Sequence, residues 1–482
     1  MARRGTEYRI LDKDLNRLSN AGFAQVQAAR PVLAIGAGLI FIAAATLLAI
    51  GVYGGQPHLA MIAATIAVAA YLALSIGSND VANSLAPAVG SGAVPLVAGL
   101  MIVAAAEVAG ALLAGDAVSD RIAGGIIQPG AVSDAVMTAG LPQVMLSALL
   151  GAAVWISFAS WRGLPVSTTQ SIIGGIAGAG LVAFGPGAFV WDSIAVIALG
   201  WVVAPLLAGL IAAGMLSLIR MMVNEAADPA KAARVWLPAL IALMTALFVL
   251  YLGLLIIGLS PVIVVAAAGL TALAVQVWAT RRLTDEIADQ SGDKLAIKRL
   301  FSLPLLWAAA LMGFAHGAND AANVAGPLSV ILHGTILSGR AVDLPFLALL
   351  LAGVGIALGT ILFGGRLVQM VGTGITRLNP VRAFCISAGT ATTILAASMI
   401  GLPVSSTHVA VGGVFGVGFF REWYDRRRRK GRDALPAAEY RRRLLVRRSY
   451  LTTIIAAWLI TVPAAALLSA AVQSASQWLL GG

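Results

Sequence analysis

The stretch Ser78-Asn79-Asp80-Val81-Ala82-Asn83 follows an apolar run of the sequence, and it recurs 240 positions later as Ala318-Asn319-Asp320-Ala321-Ala322-Asn323. A second stretch, Gly163-Leu164-Pro165-Val166-Ser167-Thr168-Thr169-Gln170, recurs 238 positions later as Gly401-Leu402-Pro403-Val404-Ser405-Ser406-Thr407-His408. Two motifs that recur in the same order at nearly the same offset indicate that the chain is built from two related halves.

The composition around these motifs is that of a membrane protein. Of 482 residues, 59% are hydrophobic and 11% are charged, and the mean hydropathy is +0.92. A soluble domain carries roughly 25% charged residues, so a water-soluble enzyme and a disordered chain are excluded. The apolar runs are continuous and lack the alternation of a membrane β-barrel. The single cysteine, Cys385, excludes an intrachain disulfide and argues against a cysteine metal site.

Thirteen apolar runs have the length of membrane helices, because a bilayer core takes roughly 20 apolar residues per helix. Two of them, 163–184 and 402–420, are rich in glycine and polar residues and are candidates for re-entrant segments. We predict an all-α polytopic membrane protein with about 12–13 transmembrane or re-entrant helices in two inverted-topology repeats. The runs are 32–53, 59–78, 93–115, 141–161, 163–184, 192–219, 237–258, 259–279, 303–320, 343–364, 381–400, 402–420 and 449–473.

Loop charge sets the predicted orientation, because cytoplasmic loops are enriched in Lys and Arg. The N-terminal 31 residues hold six basic residues and segment 421–448 holds twelve, whereas loop 116–140 holds one arginine against three aspartates. If the N-terminus is cytoplasmic and all thirteen runs cross the membrane, the strongly basic loops lie on the cytoplasmic side and loop 116–140 lies on the other side. The two Asn-Asp motifs then run in opposite directions, which predicts an inverted repeat with a site at the repeat interface, as in secondary transporters.

This orientation divides the chain into segments and predicts its location. We expect the cell inner (plasma) membrane, and the net charge of +11 needs no nucleic-acid partner, since basic loops explain it. The segments are a cytoplasmic tail (1–31), an extra N-terminal helix (32–58), transmembrane repeat 1 (59–220), a connector with two helices and a basic cytoplasmic loop (221–300), the core of transmembrane repeat 2 (301–420), a basic cytoplasmic loop (421–448) and a C-terminal helix (449–482).

The Asn-Asp motifs bring carboxylate and carboxamide oxygens to membrane depth. A charge there costs about 2.5–3.5 kcal/mol on insertion scales, so such residues face a cavity or a partner. Oxygen ligands suit a hard cation such as Na⁺, a carboxylate can instead carry a proton, and a helix cap or interhelical contact is the alternative reading. Glu107, inside the run 93–115, is either a proton or cation site or a buried acid paired to a neighbouring helix. The predicted cation or coupling residues are Asn79, Asp80, Asn319, Asp320 and Glu107, with Na⁺ as the metal at the first four.

The second motif puts hydroxyl side chains into the first turn of a helix. Proline is favoured there, and the free N–H groups and positive dipole end of that turn attract anions. The hydroxyls therefore form either an anion cradle or bonds back to helix carbonyls. Gln170 and His408 end the two copies and are accessory candidates, with either a ligand or a structural hydrogen bond for His408. The predicted cradle comprises Ser167, Thr168, Thr169, Ser405, Ser406 and Thr407.

No enzyme activity is expected from these motifs. A hydrolase triad of Ser405, His408 and Asp320 is unsupported, because the sequence has no nucleophile elbow and the serine and histidine are only three residues apart.

The segments 77–84 and 317–324 resemble the Gly-Ala-Asn-Asp-Val-Ala-Asn-Ala signature of the inorganic phosphate transporter family, often called PiT. This family includes bacterial low-affinity phosphate permeases and sodium–phosphate symporters. Its Pro-Val-Ser-Thr-Thr-His segment is similar to 165–170 and 403–408, although Gln170 stands where the first histidine is expected. The likeness covers roughly residues 60–470, in both halves.

The resemblance implies import of inorganic phosphate by symport with Na⁺ or H⁺, through alternating access and without a cofactor. It also implies that the Ser/Thr cradle holds the phosphate, and that the Asn-Asp motifs, including Asn83 and Asn323, contribute to the anion and cation sites. A sulfate permease on the same scaffold, or an anion channel, is the alternative. The lipid bilayer is the expected surrounding, and a homo-oligomer is left open.

Overall fold

The computed structural model describes residues 31–127, 134–164, 166–288, 300–335, 344–374, 379–428 and 448–480. In these ranges the regular structure is helical, with one isolated antiparallel bridge between Ile127 and Phe189. Short π-helical turns follow α7 (Arg220–Asn224) and α8 (Tyr251–Ile256). The helices are α1 (Pro31–Tyr53), α2 (Leu59–Gly90), α3 (Leu96–Ala114), α4 (Asp116–Gly124), α5 (Asp134–Trp161), α6 (Thr168–Phe184), α7 (Trp191–Ile219), α8 (Pro229–Leu250), α9 (Pro261–Ala288), α10 (Ser302–Asp320), α11 (Ala322–Thr335), α12 (Leu344–Gly374), α13 (Pro380–Met399), α14 (Ser406–Arg428) and α15 (Arg448–Leu480).

Each of the thirteen predicted apolar runs coincides with a helix. Ten helices of the described ranges are long and apolar enough to cross a membrane. The other three runs form α6, α10 and α14, which carry three of the four motif copies, and α6 is apolar but only 17 residues long. The chain is thus a multi-pass helical membrane protein, as predicted. The predicted tail (to residue 30), residues 289–299 of the connector loop and residues 429–447 of the basic loop lie outside the described residues.

The helices near the motifs extend further than the apolar runs. The run predicted to end at 78 continues to Gly90, so Asp80 lies inside α2 rather than at its end. The polar motif of α2 faces the protein interior, where its side chains have hydrogen-bond partners. The helix can therefore continue through these polar residues. The segment 116–140, predicted as a loop, contains α4, where Val118 and Ile122 are fully buried. Helix α11 was likewise not among the thirteen runs.

Two helix crossings form the centre of the fold, and glycines make both of them close. In the α2–α12 seam, a Cβ on Gly77 would overlap the carbonyl oxygen of Ile356, and a Cβ on Gly359 would overlap that of Leu74. The α3–α10 seam uses Gly110 and Gly317 in the same way, against the carbonyl oxygens of Phe314 and Glu107. Each seam therefore joins a helix of the first half to a helix of the second.

The helices that carry the Ser/Thr motif also pack across the two halves. Helix α6 lies against α15, with Gly174 and Gly178 touching its backbone, and α14 lies against α7 through Gly412 and Gly416. Helices α8 and α9 pack on each other, and the large apolar side chains of α1, α7 and α9 are widely exposed. An exposed apolar surface of this kind suits contact with lipid.

Candidate functional site

Helices α6 and α14 begin inside the protein, and each is capped by its own serine. The Ser167 Oγ accepts a hydrogen bond from the backbone N–H of Gln170 at 3.1 Å. The Ser405 Oγ accepts one from the backbone N–H of His408 at 3.3 Å. These two hydroxyls are the N-caps that let the helices start at the motif.

The first turns of α6 and α14 approach each other. Thr169 Oγ1 donates to the carbonyl oxygen of Val404 at 3.0 Å, and Thr407 Oγ1 donates to that of Val166 at 3.4 Å. Each first turn is thus joined to the extended residues that precede the other helix. The positive ends of both helix dipoles point into the same region.

The first Asn-Asp motif binds to this meeting point. The Asn79 amide donates to the Val166 carbonyl and to Asp80 Oδ1, both at 3.1 Å. The Asn83 amide donates to Thr407 Oγ1 at 2.9 Å. Thr168 Oγ1 donates to Asp80 Oδ2 at 2.8 Å. Thr407 Oγ1 also lies 3.4 Å from Asp80 Oδ1, so that both halves of the chain contact this carboxylate.

The second Asn-Asp motif makes matching contacts. With its amide oriented so that both ends are satisfied, Asn319 donates to the Val404 carbonyl at 2.8 Å and to Asp320 Oδ1 at 3.2 Å. The Asn323 amide donates to Thr169 Oγ1 at 3.3 Å. Thr169 Oγ1 also lies 3.5 Å from Asp320 Oδ1. The contacts of one motif copy thus recur in the other.

His316 connects the two motifs to Glu107. Its Nε2 lies 3.0 Å from Asp320 Oδ2 and 3.9 Å from Asp80 Oδ2, and its Nδ1 lies 2.8 Å from Glu107 Oε1. Thr360 Oγ1 donates to Glu107 Oε2 at 2.8 Å. All five side chains are fully buried. Glu107 is thus paired to neighbouring helices, and its role as a proton or cation site stays a prediction.

This cluster fits a cation. Ligand atoms of Asp80, His316 and Asp320 all lie within 4.8 Å of one another. With Glu107 the cluster holds three carboxyl groups and one imidazole, and ionised carboxylates in a dry interior need positive partners. Carboxylate and carboxamide oxygens are the donors that a hard cation prefers.

The cluster breaks the likeness between the two halves. His316 corresponds to Ile76 at the motif offset, and the carbonyl of Glu107 meets Gly317 where that of Ile356 meets Gly77. The α3–α10 seam therefore has a carboxyl–imidazole pair where the α2–α12 seam has two isoleucines. The two halves are alike in backbone contacts and different in charge.

A groove reaches the site from one end of the molecule. Its empty volume, which includes open solvent, is about 450 Å³, and Asn83, one of its lining residues, is partly exposed. Asn323, in contrast, is only 1% exposed, and the fully buried Ile122 packs against Gly326, three residues further along the same helix. The groove is lined by Ala82, Asn83, Ala86, Pro87, Val371, Gly372, Ile386, Ala410, Val411 and Val414.

The structure brings together most of the predicted site residues. Ser167 and Ser405 are caps, Ser406 is buried in the first turn of α14, and the Gln170 Oε1 has no partner among the described residues. His408 interacts with the backbone of Trp201 on α7. The residues joined in the network are Asn79, Asp80, Asn83, Glu107, Thr168, Thr169, Asn319, Asp320, Asn323 and Thr407.

Four residues of the site are not among the predicted ones, namely His316, Thr360, Ser160 and Ser398. The two serines hydrogen-bond the amides of Asn79 and Asn319. One signal for His316 was available, since it precedes Asp320 by four residues and a helix places such a pair on one face. Thr360 has no such local signal, because its partner Glu107 is distant in the chain.

Two helices that start inside a bilayer-spanning bundle, with buried carboxylates beside their N-termini, are typical of a secondary transporter. A model of the Phosphate transporter family matches residues 76–469, and the chain belongs to this family, whose members are transporters and not enzymes. The polar residues described above fall within the matched region.

Individual relatives agree with this assignment. A Helicobacter pylori protein named "Putative phosphate permease" is 38% identical over 404 residues, which are 82% of this chain and 75% of its own length. The Arabidopsis thaliana "Inorganic phosphate transporter 2-1, chloroplastic" is 33% identical over 437 residues, 84% of this chain and 70% of its own. A solved structure named "The sodium-dependent phosphate transporter" has a TM-score of 0.77 and 34% identity, and the match covers 87% of this chain and 100% of that one.

Proposed function

We propose that this protein imports inorganic phosphate across the inner membrane by symport with Na⁺, through alternating access. The observation that carries the proposal is the meeting of the α6 and α14 N-termini beside Asp80 and Asp320. The choice of Na⁺ over H⁺ rests on the likeness to the solved sodium-dependent phosphate transporter.

The anion would bind between the two helix N-termini. Each terminus carries roughly half an elementary positive charge, so two of them together balance about one negative charge. Thr169, Thr407, Asn83 and Asn323 add hydroxyl and amide donors. Phosphate near neutral pH keeps protons that it can donate to Asp80 or Asp320. Sulfate has none to donate, and a site built for a donor rejects an analogue that lacks it.

The cations would bind at the carboxylates. Moving one negative charge inward against the membrane potential costs about 2.3 kcal/mol per 100 mV. Monovalent phosphate therefore needs one cation to be carried without a voltage cost and two to gain from the voltage. Asp80 and Asp320, one from each half, offer two such sites, and the cations would also offset repulsion between these carboxylates and the anion.

Alternating access is supported by the unequal ends of the site. The groove lined by Asn83 lies at the end that loop charge assigns to the cytoplasm, while Asn323 is buried and Ile122 packs against the same helix. Matching contacts of the two motif copies support the predicted inverted repeat, in which one half can exchange roles with the other. The cytoplasmic N-terminus belongs to the same proposal.

The test is uptake of labelled phosphate into proteoliposomes under an inward Na⁺ gradient, with excess unlabelled sulfate as competitor. We expect concentrative uptake that sulfate leaves unchanged. The double variant Asp80→Asn/Asp320→Asn should lose it by more than about tenfold, since a hydrogen bond to a charged group contributes about 1.5–3 kcal/mol. Asp192→Asn, exposed in the first turn of α7, is the matched control.

Three results would contradict parts of the proposal. Uptake driven by a pH gradient and indifferent to Na⁺ would replace Na⁺ by H⁺. Inhibition by sulfate would change the substrate. Normal concentration of phosphate by the double variant would reject the two aspartates as the coupling site.

A further inference from the structure

Three arginines from three helices converge at one end of the molecule, apart from the half-helix site. They are Arg220 in the π-helical turn after α7, Arg382 in the first turn of α13 and Arg421 in α14. The charges that act on Arg382 are those of Arg220 and Arg421, which repel it, and that of Asp425, which attracts it. This arginine cluster is therefore held together against its own repulsion.

Protein contacts hold each guanidinium in place without using all of its donors. Arg382 Nε donates to Asn379 Oδ1 at 3.0 Å, and Arg421 Nε lies 3.6 Å from Asp425 Oδ2. The Arg220 guanidinium lies over the Tyr424 ring, with its Cζ 4.4 Å from the ring centre. Yet the Nη1 atoms of Arg220 and Arg382 are buried and have no hydrogen-bond partner among the described residues.

Buried donors on charged groups are costly unless an acceptor satisfies them. The planar guanidinium presents paired N–H groups that match the oxygens of a phosphoryl group, and several arginines together favour an anion over water. Helix α13 begins at Pro380, so the positive end of its dipole adds to the same field.

We propose that Arg220, Arg382 and Arg421 bind a phosphoryl anion, supplied by the headgroup of an anionic phospholipid or by free inorganic phosphate. Loop charge assigns this end of the molecule to the cytoplasm, where anionic headgroups attract basic side chains. Free phosphate has a route as well, because Arg382 precedes the groove residue Ile386 by one helical turn. The site is distinct from the half-helix site and does not depend on Na⁺ coupling.

The experiment measures both sources on the full-length protein in nanodiscs. Native mass spectrometry compares retention of dioleoylphosphatidylglycerol with that of dioleoylphosphatidylcholine, and equilibrium binding of labelled inorganic phosphate is measured in phosphatidylcholine alone. The test variant is Arg220→Gln/Arg382→Gln. The matched control is Arg281→Gln/Arg282→Gln, two exposed arginines of α9.

We expect the test variant, but not the control, to lower phosphatidylglycerol retention by about tenfold or more. If free phosphate is the ligand, retention is unchanged and the variant instead loses one class of phosphate sites while keeping the class at the half-helices. Arg382→Lys keeps the positive charge but lacks the paired N–H groups of the guanidinium. Its ligand binding should lie between that of the unsubstituted protein and that of the test variant.

Unchanged lipid retention together with unchanged phosphate binding would overturn the proposal. An equal effect of the α9 control would also overturn it, because general surface charge would then explain the binding. Arg421→Gln, whose side chain is 27% exposed, provides the same two measurements should the double variant aggregate. The half-helix phosphate class serves as the internal standard for a folded protein.

Discussion

His316 places one imidazole between carboxyl groups that come from three helices. Its Nδ1 faces Glu107 of α3 and its Nε2 faces Asp320 of its own helix, with Asp80 of α2 just beyond. The ring therefore connects three of the predicted cation or coupling residues, Glu107, Asp320 and Asp80. Its removal leaves Glu107 with Thr360 as its hydrogen-bond partner among the described residues.

A double-mutant cycle tests this connection. Glu107→Gln and His316→Gln should each reduce Na⁺-driven phosphate uptake, and the double variant should lose less than the sum. Residues in one polar network show interaction energies of about 0.5–3 kcal/mol. A parallel cycle of Glu107→Gln with His333→Gln, an exposed residue of α11, should be additive. Strict additivity for Glu107 and His316 would show that the pair does not act as a unit in transport.

The threonines at the meeting point should set phosphate affinity. Thr169→Val and Thr407→Val each remove a hydroxyl beside the helix N-termini, and we expect the KM for phosphate to rise about 10- to 100-fold. Initial uptake rates over a range of phosphate concentrations measure it. Thr271→Val on α9, whose hydroxyl bonds its own helix, is the control. An unchanged KM with a lower maximal rate would assign these hydroxyls to structure rather than to phosphate.

The repeated residues of the site were predictable from sequence, and the unrepeated ones were not. Asn79, Asp80 and Thr169 stand out because each has a counterpart in the other half. His316 has none, since Ile76 occupies the matching position. Its ring contacts Glu107, 209 residues away, and nothing local in the sequence indicates that pairing.

At the scale of helices, the close crossings of the two seams depend on glycine, which has no side chain. In the α3–α10 seam a methyl group on Gly317 would overlap the Glu107 carbonyl, which belongs to a packed backbone and cannot move aside. This seam also carries the Glu107–His316 contact, so separating its helices disturbs the site.

Gly317→Ala should therefore lower both stability and transport. Overpacking a filled interior costs about 1–3 kcal/mol, and we expect a lower melting temperature in detergent, measured by loss of the monodisperse chromatographic peak on heating. Gly269→Ala on α9 is the control, because no atom lies within 4 Å of the added carbon. An unaltered melting temperature for Gly317→Ala would mean that the seam is looser than described.

Helix ends were predicted well for α1 and α10 and poorly for α2 and α9, the last of which continues to Ala288 although its run was predicted to end at 279. The run 32–53 and the described α1 agree to within one residue. By contrast α2 extends through Asp80 to Gly90, and α4 and α11 were missed. A hydropathy pattern predicts the segments that contact lipid. The end of α2, α4 and α11 are polar or short and are surrounded by protein, so this pattern does not indicate them.

The whole molecule is asymmetric in access although its motifs repeat. Val411 of α14 lines the open groove, and its counterpart at the motif offset, Ile173 of α6, is 3% exposed on the closed side. The native Cys385 is fully buried. These three positions allow the two ends of the site to be compared by thiol chemistry.

We expect Val411→Cys to react with a water-soluble maleimide at least about tenfold faster than Ile173→Cys, because reaction requires the thiol to be exposed as thiolate. Adding Na⁺ and phosphate should change the ratio as the protein exchanges conformations. The unsubstituted chain gives the background from Cys385. Equal rates that ligands leave unchanged would argue against alternating access between these two ends.

The order of the helices that correspond to the thirteen apolar runs followed from the sequence, because each apolar run is a local property, whereas α4 and α11 did not follow from it. The pairing of helices did not follow from it. The seams bring together residues such as Gly77 and Ile356, which are separated by most of the chain. In addition, a contact between a glycine and a backbone carbonyl involves no side chain. The sequence therefore contains no pattern that identifies the partner helix.

Because both seams join one half to the other, the order of synthesis matters. When the ribosome has completed α3, the helix that covers Gly110 has not yet been made. The newly inserted first half must therefore wait in the bilayer with its glycine faces against lipid chains, as an unfinished and vulnerable intermediate. Two separately encoded fragments, cut in the described stretch between α7 and α8, should consequently be degraded when made singly and should accumulate when made together.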